Sequence, residues 1–208
     1  MPIYCDESGG IGRGVMTLAA LSIEAAAADY VLTGFRSANG LLGELKGSRI
    51  DLSARALLFQ LLERQQWTAI IGVAISALKP DPGEDRGDHD IEIYAKLLND
   101  VVGAMLPNIG GCAQVIIDDG RYGPATLNLV HQGIAKLVGP CGHARLELSH
   151  RASGLQIADV IANSFFNRAL VSERQGRMAA IVAPFLESGK IKLRILARDP
   201  ERDDQNGE

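Results

Sequence analysis

The stretch IYCDESGGIGRGVMTLAALSI, residues 3–23, sets the architecture. Ile3-Tyr4-Cys5-Asp6 has the make-up of a short strand, and it runs into the glycine-rich turn Gly9-Gly10-Ile11-Gly12-Arg13-Gly14. The apolar run Val15–Ile23 follows at once, so the unit reads as a β-hairpin. A dinucleotide fingerprint is excluded, because its glycines must open a helix and these open a strand.

Downstream of the hairpin, helices and strands alternate. Glu24-Ala25-Ala26-Ala27-Ala28 starts a helix that fades by Asn39-Gly40. A second, capped by Asp51 or Ser53, carries Ala54, Leu57, Leu58, Leu61 and Leu62 at helical spacing. Residues 67–75 form a continuous apolar strand that ends at the loop Lys79-Pro80-Asp81-Pro82-Gly83. Then come a helix over 90–106, a strand over 112–119, a helix over 124–138 and a strand over 145–150. Helices over 155–171 and 174–186 and a strand over 191–196 complete the series. Such an order predicts an α/β domain, a mixed sheet opened by a β-hairpin and flanked by helices on both faces. One domain over residues 1–197 and a disordered acidic tail over 198–208 are expected.

With 208 residues, 47% hydrophobic and 22% charged, the chain buries a core without staples, and wholesale disorder is excluded. No apolar run approaches the roughly 20 residues of a membrane span, and Asp6 and Glu7 sit where a signal peptide would be apolar. Three cysteines without CxxC spacing, two of them (Cys5 and Cys112) placed inside strands, speak against a secreted disulfide framework or structural zinc. A soluble, cytoplasmic protein is the expectation. The formal charge is −4, unevenly spread: residues 81–119 carry nine acids and two bases, residues 145–198 nine bases and four acids. Imbalance of this size fits a solvated surface as well as it fits a phosphate-binding or metal-holding one.

Most motif-like features fail on context. The acidic stretch 81–92 has no register with a calcium loop's glycine, the four histidines lack metal spacing, and no GxSxG elbow exists. What remains is a set of carboxylates. Asp6 and Glu7 end the first strand, and Asp118 and Asp119 end Val115-Ile116-Ile117, where ligands gather in open α/β sheets. Alternation puts Asp6 on the face opposite Cys5 and Glu7. Asp159 lies in a helix that is apolar nearly all round, within the stripe Gln156, Asp159, Asn163 and Asn167. A lone buried carboxylate is costly, so Asp159 must pair with an arginine such as Arg121 or Arg151, or be hydrogen-bonded, or hold metal. Glu44, with Lys46 two positions on, stands among small and apolar residues and by default is an exposed loop acid.

In order, Tyr4-Cys5-Asp6-Glu7-Ser8-Gly9, Glu44-Leu45-Lys46, Ile116-Ile117-Asp118-Asp119 and Leu155-Gln156-Ile157-Ala158-Asp159 resemble the domain of unknown function 3800 family. Its members look like nucleases with a ribonuclease H-like fold. The resemblance spans residues 4 to about 163, and its first and last segments are the specific ones. It implies a catalytic, metal-ligating set of Asp6, Glu44, Asp118 and Asp159, with Asp119 as alternative to Asp118. It also implies two Mg²⁺ or Mn²⁺ ions that Asp6 would bridge, and a nucleic acid, DNA or RNA, as partner. Glu7, Ser8, Lys46, Asp119 and Gln156 would support the set, Lys46 by neutralising the scissile phosphate. Arg121, Tyr122 and Arg151 would contact substrate. Hard cations suit an oxygen-only set without His or Cys. Crowded like charges should raise the carboxylate pKa values when no metal is bound. Two other readings fit the same residues: hydrolysis of a small phosphate ester, and a non-catalytic interaction module.

Overall fold

The opening hairpin forms because two β-rich runs flank a turn that only glycine can close tightly. In the computed structural model, which describes residues 1–75, 86–120 and 122–196, β1 (Ile3–Gly10) pairs antiparallel with β2 (Val15–Ile23) over their whole length. The strand outruns the sequence expectation: Gly9 and Gly10 belong to β1, and a 3-10 turn, Ile11–Arg13, makes the reversal before Gly14 at φ +89°. Gly9 has a packing reason for its identity, since a Cβ there would lie 2.4 Å from the Phe166 ring.

Next come α1 (Ala25–Asn39), α2 (Leu52–Glu63), β3 (Trp67–Ile75), α3 (Arg86–Met105), β4 (Gln114–Asp118), α4 (Pro124–Val138), β5 (His143–Glu147), α5 (Ser153–Ala169), α6 (Gln175–Glu187) and β6 (Ile191–Ile195). Asp51 caps α2, its Oδ1 accepting from the Ala54 amide at 2.8 Å. Cys112 stands ahead of β4 and is exposed, a correction to its expected place inside a strand: Gly110 and Gly111 delay the strand's start. The loop at 79–83 and the tail from 198 lie outside the described residues.

The six strands make one mixed sheet in the order β5-β4-β1-β2-β3-β6. β2 pairs antiparallel with both neighbours and the other junctions are parallel, so five strands point one way and β2 alone points back. Alternation then divides the core. Tyr4, Ala19, Leu21, Ile71 and Ile116 face a layer of α1, α2, α5 and α6, whereas Ile3, Cys5, Leu18, Ile70 and Ile117 face α3 and α4. α5 lies centrally on β1 and β2, and its residues from Leu155 through Ile157 to Phe165 are buried almost without interruption. Among the described residues no helix is long and apolar enough to cross a membrane.

Candidate active site

Parallel pairing sets Tyr4 beside Ile116 and Cys5 beside Ile117, and one further step along both strands brings Asp6 level with Asp118. Both carboxylates share the face covered by α5. Asp6 is only 5% exposed. Its Oδ1 accepts the Glu7 amide at 2.7 Å, and its buried Oδ2 has no hydrogen-bond partner. Asp159 comes from α5, and its charge acts on both Asp6 and Asp118. Asp119 is exposed, its amide donating to the Glu147 carbonyl at 3.1 Å. The structure therefore places Asp118 with the cluster and Asp119 outside it.

Glu44 and Lys46 reach the cluster from the segment between α1 and α2. Gln156, 1% exposed, fastens that segment: its Oε1 accepts from the Leu45 amide at 2.8 Å and Arg36 Nη2 at 3.1 Å, and its Nε2 donates to the Ser149 carbonyl at 3.0 Å. Ser149, just after β5, then stands beside both charges. Its hydroxyl donates to Glu44, Lys46 Nζ donates to Ser149 Oγ at 3.0 Å, and Lys46 Nζ pairs with Glu44 at 2.9 Å. Burial raises the Asp118 carboxyl, and Lys46 and the Ser149 backbone act against it. Glu44 is thus a held residue and not a free loop acid.

Of the partners the sequence left open for Asp159, the structure shows a hydrogen bond from the backbone. The Gly47 amide donates to its Oδ2 at 2.9 Å. On the other side of Gly47, its carbonyl accepts from Arg55 Nη2 at 2.6 Å. Arg55 is 3% exposed and also donates to Val160 O, Ser164 Oγ and Asn163 Oδ1 at 3.0, 2.7 and 3.0 Å. Gly47 has no room for a side chain, since a Cβ would lie 2.7 Å from that of Asn163. The chain Arg55–Gly47–Asp159 thereby fixes the Asp159 carboxylate and ties the Gly47 segment to α5.

Sequence reasoning missed Ser149, Gly47 and Arg55. Arg55 had a legible signal: with Leu58, Phe59 and Leu62 it follows i, i+3, i+4 and i+7, the buried face of α2. Ser149 and Gly47 had none. Ser8 lies beside the cluster and accepts from Asn163 Nδ2 at 3.0 Å, and Glu7 lines the adjoining groove with it. Tyr122 is not brought to the site. Its hydroxyl donates to Asp90 Oδ2 at 2.9 Å, its ring lies 4.8 Å from that of Tyr94, and it packs on the α3 side of the sheet. Arg151 is exposed in the turn after β5, and Arg121 lies outside the described residues. A polar groove of about 500 Å³ opens beside Asp159, with Arg13, Arg174, Asn163 and Asn167 on its walls.

Burial, then repulsion from Glu7, Asp159 and Asp118, holds the Asp6 carboxyl well above the usual range. Burial likewise raises Asp118 and Asp159; Lys46 pulls both back, and for Asp159 the Gly47 amide does so more strongly. Glu44 is the correction to the expected uniform rise. Burial works upward there too, but hydrogen bonds from Ser149 and Lys46 outweigh it and leave the carboxyl lowered. Lys46 is raised despite burial, because Glu44, Asp159 and Asp6 hold its charge.

These shifts give a signed prediction. Acids raised in the folded state bind more protons folded than unfolded, so stability falls as pH climbs from about 4 through their raised values. Glu44 acts oppositely, losing its contribution as pH drops through its lowered value. With three acids against one, the metal-free protein should melt lower at pH 7.5 than at pH 5 when titrated in a chelating buffer. A melting temperature that rises steadily over that interval contradicts the clustering.

Among the described residues no three His, Cys, Asp or Glu side chains converge as a ready metal cage. The donor set nevertheless fits a hard cation: carboxylate oxygens alone, and a buried Asp6 Oδ2 that lacks any partner. Lys46 is the positive charge that contacts the set.

No protein-family model matches the sequence, and no curated protein matches it either. Solved structures do. Ribonuclease HII of Archaeoglobus fulgidus, seen in a complex with PCNA, superposes with a TM-score of 0.50 and 12% identity over 92% of this chain and 90% of that one. Ribonuclease H2 of Pyrococcus horikoshii OT3 gives a TM-score of 0.50 and 12% identity over 98% of this chain and 83% of that one. At such identity the likeness concerns architecture alone, and the mixed sheet flanked by helices described above is a ribonuclease H-like fold.

Proposed function

We propose that this protein is a divalent-metal-dependent nuclease of the domain of unknown function 3800 type, hydrolysing phosphodiester bonds at Asp6, Glu44, Asp118 and Asp159. The observation that carries the reading is the orphaned, buried Asp6 Oδ2, set on the same sheet face as Asp118 and within the field of Asp159. A structural role would have supplied that oxygen with a donor, since an unpaired buried charge costs several kcal/mol. Both structural relatives are ribonucleases by name, which supports nucleic acid as the substrate class.

Two Mg²⁺ or Mn²⁺ ions, when bound, would stabilise charge on the attacking and leaving oxygens of the phosphodiester. Asp6, Asp118 and Asp159 are the residues to hold them, with Glu44 either as a further ligand or orienting the attacking water. Lys46 is placed to neutralise a non-bridging phosphate oxygen once its hold on Glu44 loosens. Gln156 and Ser149 keep Glu44, Lys46 and Asp118 in mutual register. The groove beside Asp159 offers Arg13 and Arg174 to the adjoining phosphates of a strand.

Two measurements test this. Labelled single-stranded DNA, duplex DNA, RNA and an RNA–DNA hybrid should be incubated with Mn²⁺, Mg²⁺ or EDTA, and cutting of at least one with metal only is expected. Phosphate release from a simple ester with every polymer intact would instead make the site a phosphoesterase. Millimolar Mg²⁺ or Mn²⁺ should also raise the melting temperature at pH 7.5, because it binds the folded state alone. No shift with either ion, together with no cutting, leaves a non-catalytic module.

A further inference from the structure

Two thiols outside this site are arranged as a pair. Cys112 and Cys141 are exposed and free, whereas Cys5 is buried. They precede β4 and β5, two residues ahead of the first paired positions, Gln114 and His143. The His143 amide donates to the Ala113 carbonyl at 2.9 Å, so the parallel ladder continues backward past its formal start. Counting back two residues on each chain brings the bend at Cys112 level with the turn at Cys141. Cys141 acts directly on the Cys112 thiol and raises it.

The backbone around them is confined. Gly111 and Gly139 hold left-handed turns at φ +81° and +73°. A Cβ on Gly142 would lie 2.8 Å from the Val138 carbonyl oxygen and 2.9 Å from that of Ala113, so the Cys141 loop is pressed against the strand Cys112 leads into. Neighbouring strands run about 4.8 Å apart, inside the 4.4–6.8 Å Cα separation that a disulfide spans.

We propose that Cys112 and Cys141 are a redox modification site: a reversible intramolecular disulfide formed by exchange with a low-molecular-weight disulfide such as oxidised glutathione. One protein thiolate attacks the glutathione disulfide, forming a mixed disulfide and releasing one glutathione. The second cysteine attacks the protein sulfur of that bond and displaces the other glutathione. One S–S bond is broken and one formed, and the two thiol protons and two electrons end on the two glutathiones released. The bridge closes a loop over residues 112–141, α4 included, at the end of β4 about 20 Å from Asp118. Its direct effect is therefore on stability.

The full chain should be equilibrated over a series of oxidised-to-reduced glutathione ratios, quenched by alkylation and weighed. The expected product is a monomer lighter by two hydrogens, with residues 112 and 141 in one cross-linked fragment and only Cys5 alkylated after unfolding. Its melting temperature should exceed that of the reduced form by about 5 °C. Cys112→Ser and Cys141→Ser should each halt at one bound glutathione, and Cys5→Ala should still form the bridge. Glutathione on both wild-type cysteines, a disulfide between two chains, or thiols still reduced at every ratio would each overturn the assignment.

Discussion

Asp6→Asn should reduce metal-dependent cleavage by about 10³-fold or more while making the metal-free protein more stable. The first effect follows from the charge that Asp6 contributes. Metal-assisted stabilisation of the reacting oxygens is worth several kcal/mol, and each 1.36 kcal/mol is about tenfold in rate. The second follows from burial. Asparagine keeps an oxygen for the Glu7 amide and removes the buried carboxylate that Glu7, Asp159 and Asp118 repel and whose Oδ2 has no partner. Relieving an unsatisfied buried group is worth about 1–3 kcal/mol, or several degrees of melting temperature for a chain of this size. The stabilisation by Mg²⁺ should shrink in the same variant. Few other substitutions would raise stability and abolish activity together, so a wild-type rate from pure Asp6→Asn protein would remove this cluster from the chemistry.

Arg55→Met should be the most damaging change away from the carboxylates. Methionine fills the space of the arginine stem but supplies no donors. Ser164 Oγ still donates to Val160 O, at 2.6 Å, and Asn167 Nδ2 still donates to Asn163 Oδ1, at 3.0 Å. The Gly47 carbonyl is the group left stranded, and its peptide is the one whose amide holds Asp159. A loss of about 2–4 kcal/mol is expected, together with a weaker thermal response to Mg²⁺. Arg55→Lys should recover part of both. Should Arg55→Met melt as wild type does and keep the full metal response, the positioning role is wrong.

The positions of strands and helices were legible because each element carries its own pattern. The run from Trp67 to Ile75 and the helix from Pro124 to Val138 have the expected limits, as apolar periodicity and a proline at the first turn are local signals. Asp118 was readable as a strand-end acid, whereas Asp6 proved to lie within β1, which runs on to Gly10; alternation nevertheless fixed the face of Asp6 before any pairing was known. The lateral order of strands was not readable. Nothing within Ile191–Ile195 says that it pairs with β3, since that choice is made by shape on the far side of the core. The partners of the acids were hidden for the same reason. Lys46 and Ser149 stand 103 positions apart, and Gly47 and Asp159 stand 112 apart. Tyr122, beside the acids in sequence, turned out to serve the other face, where it packs in the same layer as Val130 and Ile134 of α4.

The lone reversal of β2 bears on how the protein should be handled. β1, β3, β4, β5 and β6 all finish at the carboxylate end of the sheet, so Leu196, the last described residue, lies toward the same rim as Asp6 and Asp118. Met1 is anchored at the opposite rim, where its ammonium pairs with Glu24 at 3.2 Å, about 17 Å from Asp6 along β1. An affinity tag, fluorophore or surface tether at the amino terminus leaves the substrate approach open. The same attachment at the carboxyl terminus extends from the rim that carries the carboxylates, and a polyhistidine there would compete for the very ions whose binding is to be measured.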